Sequence, residues 1–576
     1  MSDENEPLPP VPRVYPEGCR FDTLEDIKDK RVVVMGLGLN GGGEASVRFL
    51  LKHGAYVLAT DMKSAQELAP TITSLSQDKS IDTSRLTYRL GGHRIEDFAS
   101  ADCVIKNPAV KYDGNKYLAA SKAIETDISL FLHFSKAPII AVTGSKGKSS
   151  TVSAIHYGLR QAGFEAFLGG NITVSPLTFL ERTSGTTPVV LELSSWQLAD
   201  LRGRKALKPR IAIITKIIPD HQNFYHSMLA YVADKELIYA DQTKDDFTII
   251  DYDDDPAADG GTLIENWGDI FAKRTKAQVL RYSKKRLPKD VYGVWQDERG
   301  EGIVRLPPAL MSKYAQTHNL ETETVLRELS VPGKNTRLNV LNAALVLELM
   351  GVFPREISDI LKGWNGIEHR LEYFHQWTPA PASSRAATFN VRFYNDSAST
   401  VPESAAEATQ AFGRPVIFLA GGTDKGLDLS PIASSIARSR IKPEAIYLLE
   451  GSATDKMMRQ LDAYGIKYEG PYKNLDELLV AVKNDLISVH NPHPRAGDKI
   501  VVFSPGAVSF GMFKNEFDRG NQFKSKTKLL FVWAGGGPEK KTARAAGAGP
   551  AMRAEALRKL QNPQAYSLVK IRRAAS

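Results

Sequence analysis

Cysteine is nearly absent: Cys19 and Cys103, far apart, are the only two in 576 residues. That excludes a disulfide framework and a zinc site built on paired thiolates, and it fits a reducing compartment. Long apolar runs are missing too. None reaches the roughly 18 residues that a membrane-spanning helix needs, so no transmembrane segment is expected. The opening stretch "MSDENEPLPPVPRVYP" has neither a basic nor an apolar segment, so no secretory leader is expected. Acidic residues run short in one region only. Residues 524–576 hold twelve Lys or Arg against Glu539 and Glu555, a net +10, so the chain's formal +8 leaves −2 for residues 1–523. A nearly neutral body does not suggest a nucleic-acid partner. The basic stretch, with "AGGGPEKKTARAAGAGPAMRAEALRKL", reads as a solvated low-complexity tail.

What is present is ample material for burial. At 42% hydrophobic content, a chain of this length supports three or four domains, and no internal repeat is visible. The first block, "RVVVMGLGLNGGGEASVRFLLKHGAYVLATD", runs strand, G-x-G-x-x-G (Gly36 to Gly41), helix, then a second strand ending at Asp61. This is the Rossmann pattern, whose glycines let a diphosphate approach a helix N-terminus. Taken alone it suggests a nicotinamide cofactor, or else a glycine turn with no ligand.

A second block begins near Pro138. The apolar run before Thr143 leads into Gly144-Ser145-Lys146-Gly147-Lys148-Ser149, then a helix over "SSTVSAIHYGLRQAG". Strand-like "PVVLELSSWQL" and "RIAIITKIIPDH" follow, and an amphipathic helix around "NTRLNVLNAALVLELMG" closes the block. The stretches "DYDDDPAADGG" and "DERGEG" read as surface loops. In the third block the runs "ATFNVRFYND", "PVIFLAGG", "AIYLLEG" and "KIVVFSP" each end in a small or polar loop. The whole is an α/β pattern of strands alternating with helices, and ligands in such sheets sit outside the carboxyl ends of the strands.

The loop Gly144 to Lys148 has the composition to wrap a triphosphate. Lys148 would neutralise the outer phosphate oxygens and Ser149 could reach a magnesium ion. A full Walker A loop would also need a glycine at Val142, so this one is shortened. Glu192 ends an apolar strand, where a metal ion or a salt bridge would each offset the cost of burying a carboxylate. His221, in "PDH", reads as a structural histidine or a ligand. Lys235, in "SMLAYVADKELIYA", reads as a lysine reaching out to water unless something else claims it.

These residues together resemble the Mur ligases. The motifs follow one another in that family's order: the P-loop from Thr143 to Ser149, "GGN" ending at Asn171, "LELSSWQL" around Glu192, Asp220-His221 and "ADKELIY" around Lys235. After them come "NVLNA" with Asn339 and Asn342, His369-Arg370, Asn395-Asp396-Ser397, "GGTDKG" around Lys425, and "SPGAVSFGMFKN" from Ser504 to Asn515. The resemblance covers about residues 30–523 and lies closest to the glutamate-adding members.

The resemblance implies three domains. These are a Rossmann-like UDP-substrate domain at 28–137, a central P-loop ATPase domain at 138–372, and a Rossmann-like glutamate-binding domain at 373–523. The basic tail at 524–576 follows. It also implies an ATP- and Mg2+-dependent ligase that adds glutamate to UDP-N-acetylmuramoyl-L-alanine through an acyl phosphate. That reaction serves peptidoglycan precursor synthesis, hence cell-wall growth, shape and division, and is expected of a cytoplasmic monomer. Gly38, Leu39, Asn40, Asp61 and Asn171 would contact the UDP substrate. Gly144 through Ser150, with Asn342, Arg370 and Asp396, would hold ATP. Ser149, Glu192, His221 and Lys235, the last carbamylated by CO2, would serve the metal. Thr400, Lys425 and Ser509 would receive glutamate.

Two departures bear on the acceptor. The family's commoner N-D-S-K-A-T-N reads Asn395-Asp396-Ser397-Ala398-Ser399-Thr400-Val401, with Ala398 in place of lysine, and Glu516 stands where an aromatic is usual, with Phe517 next. "DSASTVPES" is similar to a branch that adds L-glutamate. D-glutamate, L-glutamate and a catalytically silent homologue therefore stay open at this point.

Overall fold

The computed structural model describes residues 18–112, 114–253, 266–379, 389–487 and 497–532. Three sheets organise them. The first has five parallel strands in the order Leu86–Leu90, Tyr56–Asp61, Arg31–Met35, Cys103–Lys106 and Ile124–Glu125. Its central strand is a continuous apolar run because both faces are covered. The helix Gly42–Lys52 packs so close behind it that a Cβ on Gly43 would lie 2.4 Å from the carbonyl oxygens of Gly36 and Leu37. Phe21 and Ile27 are buried against this sheet's core, so folded chain begins before residue 28.

The second sheet has nine strands: Glu323–Leu326, Gly302–Arg305, Gly293–Gln296, Gln278–Ser283, Phe247–Asp251, Ile211–Ile214, Ile139–Thr143, Val189–Glu192 and Phe167–Gly170. The last seven of these run parallel, while the first two pair antiparallel, and "DERGEG" is the turn joining one hairpin. Residues 254–261 of the other expected loop lie outside the described residues. The strands Ile139–Thr143, Val189–Glu192 and Ile211–Ile214 are wholly buried and in register, Val142 opposite Glu192 and Thr143 opposite Ile214. Their carboxyl ends therefore open side by side, and the P-loop starts there.

One compact unit holds the chain up to Arg327 together with Leu338–Leu361, so the first two sheets belong to a single body. Two buried ion pairs join them. Arg204 Nη1 lies 2.7 Å from Glu125 Oε2, and Lys106 Nζ lies 2.8 Å from Asp200 Oδ2. The other unit holds Glu328–Arg337 and the described chain from Lys362 onward. Its six-stranded sheet runs Glu372–Trp377, Val391–Asn395, Lys499–Phe503, Ile417–Gly421, Ala445–Leu449 and Glu469–Tyr472, antiparallel only at the first pair.

Two expected boundaries shift. The edge strand Glu372–Trp377 spans the boundary placed between 372 and 373, and its half-buried, mixed sequence "EYFHQW" carries little strand signal. The final helix, Glu516–Leu530, runs straight through the boundary placed at 524. Thr527 and Phe531 are buried, and the Phe531 ring packs 4.6 Å from Phe393 and 5.1 Å from Trp377. The folded chain thus reaches Phe531 despite the basic composition of its outer face, and 533–576 of the expected tail lie outside the described residues. Among the described residues no helix is long and apolar enough to cross a membrane.

Candidate active site

The P-loop is pinned at its base. Thr143 Oγ1 donates to Leu193 O at 2.8 Å, and Thr215 Oγ1 donates to Thr143 O at 3.0 Å. The helix Lys148–Gln161 starts at Gly147, whose φ of +95° suits glycine. A Cβ there would stand 2.4 Å from Asn339 Oδ1, so the helix Lys334–Leu349 lies directly against the loop. Ser145 is committed to structure: its Oγ donates to Ile218 O at 2.9 Å and lies 3.1 Å from both Ile218 N–H and Tyr231 O–H. The N–H groups of Ser145 and Lys146 both reach Lys216 O, at 2.9 and 3.2 Å. The first N–H groups of the helix, near half-buried Ser149 and Ser150, have no intrahelical acceptor and are the donors left open to an anion.

Two lysines converge on one carbonyl. Lys148 Nζ donates to Gly144 O at 2.8 Å and to Ser145 O at 3.2 Å, while Lys235 Nζ donates to the same Gly144 O at 3.0 Å. Lys235 is 1% exposed, its ammonium 4.5 Å over the Tyr231 ring. Burial, and then the charge of Lys148, push Lys235 down to about 7, against the opposing pull of Asp220, Asp234 and Glu192. Burial also lowers Lys148, with Glu192 and Asp220 opposing it. A surface lysine reaching for water is excluded.

Glu192 completes this cluster. It is 2% exposed; Oε1 accepts from Asn171 Nδ2 at 3.0 Å, while Oε2 is buried without a hydrogen-bond partner. Such an orphaned carboxylate oxygen is costly unless a cation claims it. Asn171 itself is exposed, so its side chain orients Glu192 from the rim. His221 sits on the open side at a φ of +53°, its ring 5.1 Å from Trp196 and 6.3 Å from Tyr231. Among the described residues no group of three His, Cys, Asp or Glu side chains is arranged to hold a metal. A cation here fits Glu192 Oε2 only with help from other donors. Asn342 lies on the helix of Asn339, fully buried, with both amide atoms unpaired.

In the first sheet, Asp61 accepts from Gly38 N–H at 2.9 Å and shapes the glycine turn, which leaves Leu39 and Asn40 exposed. The second unit holds the remaining expected residues. Asp396 Oδ2 accepts from Ser504 Oγ at 2.6 Å and Oδ1 from Leu371 N–H at 3.1 Å, and burial raises the carboxyl to about 7. Arg370 is exposed. A cavity of about 210 Å³ opens beside Ser509, with Gly422, Thr423, Gly451 and Phe510 in its wall. Exposed Lys425 and half-buried Thr400 are not among the lining residues. Ala398 donates its N–H to His369 O at 3.1 Å, and Phe517 packs edge-on against His369 at 5.4 Å.

Residues 142–347 match the description of the Mur ligase middle domain. The chain is 38% identical to a UDP-N-acetylmuramoylalanine–D-glutamate ligase of Treponema pallidum, over 88% of this chain and 98% of that one. Relatives of the same name match from Borreliella afzelii, 38% identical over 88% and 99%, and from Roseiflexus, 32% identical over 86% and 97%. The chain belongs to the Mur ligase family. A solved UDP-N-acetylmuramate–alanine ligase from Thermotoga maritima is 17% identical, with a TM-score of 0.47 over 87% of this chain and all of that one.

This Mur ligase keeps its P-loop lysine, the buried lysine and the orphaned carboxylate in one electrostatic cluster. Sequence reading missed the roles of Asn339, which walls the loop, and Tyr231, which lies between Ser145 and Lys235. Neither carries a local signal: a buried tyrosine on an apolar helix face looks like core.

Proposed function

We propose that this Mur ligase joins D-glutamate to UDP-N-acetylmuramoyl-L-alanine in peptidoglycan precursor synthesis, as a monomer in the cytoplasm. The observation that carries this reading is the cluster of half-buried Lys148 with buried Lys235 and Glu192 at the end of the P-loop strand, in a chain whose relatives of that name match over nearly their whole length. ATP would supply the phosphoryl group that activates the L-alanyl carboxylate as an acyl phosphate, and Mg2+ would neutralise the oxygens between them.

The residues of this chain do the positioning. Lys148 turns from its own loop's carbonyls toward the transferring phosphate and neutralises charge that would otherwise repel the carboxylate. Glu192, held by Asn171, would offer Oε2 to the cation, with Ser149 and His221 as the residues that would supply further ligands. Lys235, brought down to about 7 by burial and the charge of Lys148, would present the free amine that CO2 needs, and its carbamate would supply a further oxygen anion. Gly144 to Ser150, Asn342, Arg370 and Asp396 serve as nucleotide contacts, and Gly38, Leu39, Asn40, Asp61 and Asn171 as UDP-substrate contacts. Thr400, Lys425 and Ser509 receive the acceptor, whose amine attacks the acyl carbon as phosphate leaves. Charge neutralisation and the alignment of the reactants would together carry catalysis here.

The deciding experiment measures phosphate release from ATP with UDP-N-acetylmuramoyl-L-alanine, Mg2+ and each glutamate enantiomer. Release with D-glutamate is expected. Release with L-glutamate alone would place the chain in the branch similar to "DSASTVPES", and none with either would leave a silent homologue.

A further inference from the structure

Among the described residues the largest fully buried side chain is a cation with no role in the proposed chemistry. Arg519 lies in the first turn of the helix Glu516–Leu530 at 0% exposure, and no carboxylate pairs with it among the described residues. Nη1 donates to Ala507 O at 3.0 Å, Nη2 donates to Ser397 O at 2.8 Å, and Nε is buried with no partner. Burying an unpaired guanidinium is costly, and burial lowers Arg519 to about 10, with only partial relief from Glu516 one turn earlier. A charge kept under such conditions needs a reason.

Its neighbours supply one. Ser397 belongs to the loop carrying Asp396 and Thr400, and Ala507 to the loop carrying Ser509. A Cβ on Gly422 would stand 3.4 Å from Nη1, so the loop leading to Lys425 lies against the same guanidinium. Three loops from the ends of three strands therefore meet on one side chain. Arg519 also lines the cavity of about 210 Å³ that Ser509 borders. A planar guanidinium ties two carbonyls from two separate nitrogens at a fixed spacing, whereas a lysine would have to draw both to a single ammonium.

We infer that Arg519 is a positioning residue of the acceptor site: it holds these loops in register and sets a positive potential in the cavity that takes the acceptor's carboxylate. The inference rests on the proposed ligase function. Asp396 has anchors of its own in Ser504 Oγ and Leu371 N–H, so the loop's nucleotide-facing end should keep its place when Arg519 is changed.

The test compares wild type with Arg519→Lys and Arg519→Ala in the full chain, with KM measured separately for glutamate, ATP and the UDP substrate. Arg519→Lys should raise the glutamate KM about tenfold or more and leave the other two within about threefold, as loss of one charged hydrogen bond predicts. Guanidinium chloride at tens of millimolar, against sodium chloride at matched strength, should lower the glutamate KM of Arg519→Ala. A folded Arg519→Lys with an unchanged glutamate KM would overturn the inference. So would equal losses for all three substrates with no response to guanidinium, the pattern of a purely structural arginine. If wild type used a different amino acid, the proposed function would fall while that amino acid's KM still decided the role of Arg519. If it used none, both would fall.

Discussion

Asp396→Asn should make the protein more stable at neutral pH while removing a group proposed to hold nucleotide. The carboxyl is 8% exposed, and burial carries it from 3.8 to about 7 even though Ser504 and Leu371 hydrogen-bond to it. Between those two values the folded state keeps a proton that the unfolded state has lost. Stability contributed by the neutral acid is therefore full below about pH 4, declines as pH rises, and is gone above about pH 7. At about 1.36 kcal/mol per unit, the span is worth roughly 4 kcal/mol at most. Asparagine is nearly isosteric, can still accept from Leu371 N–H, and does not titrate. Its advantage over wild type should therefore grow by roughly 2–3 kcal/mol between pH 5 and pH 8. Urea unfolding of both proteins at those two pH values, without nucleotide, measures the difference. A gap that does not change with pH would refute the reasoning, because a buried carboxyl that costs nothing to ionise is not desolvated.

Three further outcomes are expected. Lys148→Ala should lower ATP-dependent turnover about a thousandfold, since a charge aimed at the transferring phosphate supplies several kcal/mol, and calorimetry should find UDP-substrate affinity unchanged. Lys235→Ala should be nearly inactive and regain turnover with acetate or formate but not chloride, and carbon NMR of the wild type in 13C-bicarbonate should show a carbamate. Truncation after Val532 should leave kcat and KM within about twofold, whereas truncation after Phe523 removes the buried Phe531 and should cost about 3–5 kcal/mol by denaturant titration.

The strands that carry the site were legible in the sequence because they are buried on both faces, which makes them continuous apolar runs ending in glycine or small polar residues. Ile139–Thr143 into Gly144 and Ile417–Gly421 into Gly422 show this directly. Edge elements were not. Glu372–Trp377 pairs on one side only and mixes Glu, His and Gln with aromatics, so nothing in its composition demands a sheet. The last helix hid for a related reason: lysines on its outer face masked the few positions, Phe523, Thr527 and Phe531, that hold it down. Lys235 shows the limit most clearly. Helical spacing placed it on a partly apolar face, but only the fold brings Lys148 and Gly144, some ninety residues away in the chain, to its amine.

The ion pairs joining the first two sheets also order events in time. Glu125 and Lys106 are made early in synthesis, yet the guanidinium that neutralises Glu125 arrives 79 residues later. Until Asp200 and Arg204 emerge, closing the first sheet in its final form would bury two charges without their partners. The nascent first sheet should therefore stay loose, or borrow water for those groups, and lock only when the helix Ser195–Ala199 and the turn after it are in place. A fragment ending near residue 137 should accordingly be a poor folder on its own, even though its strand order is complete.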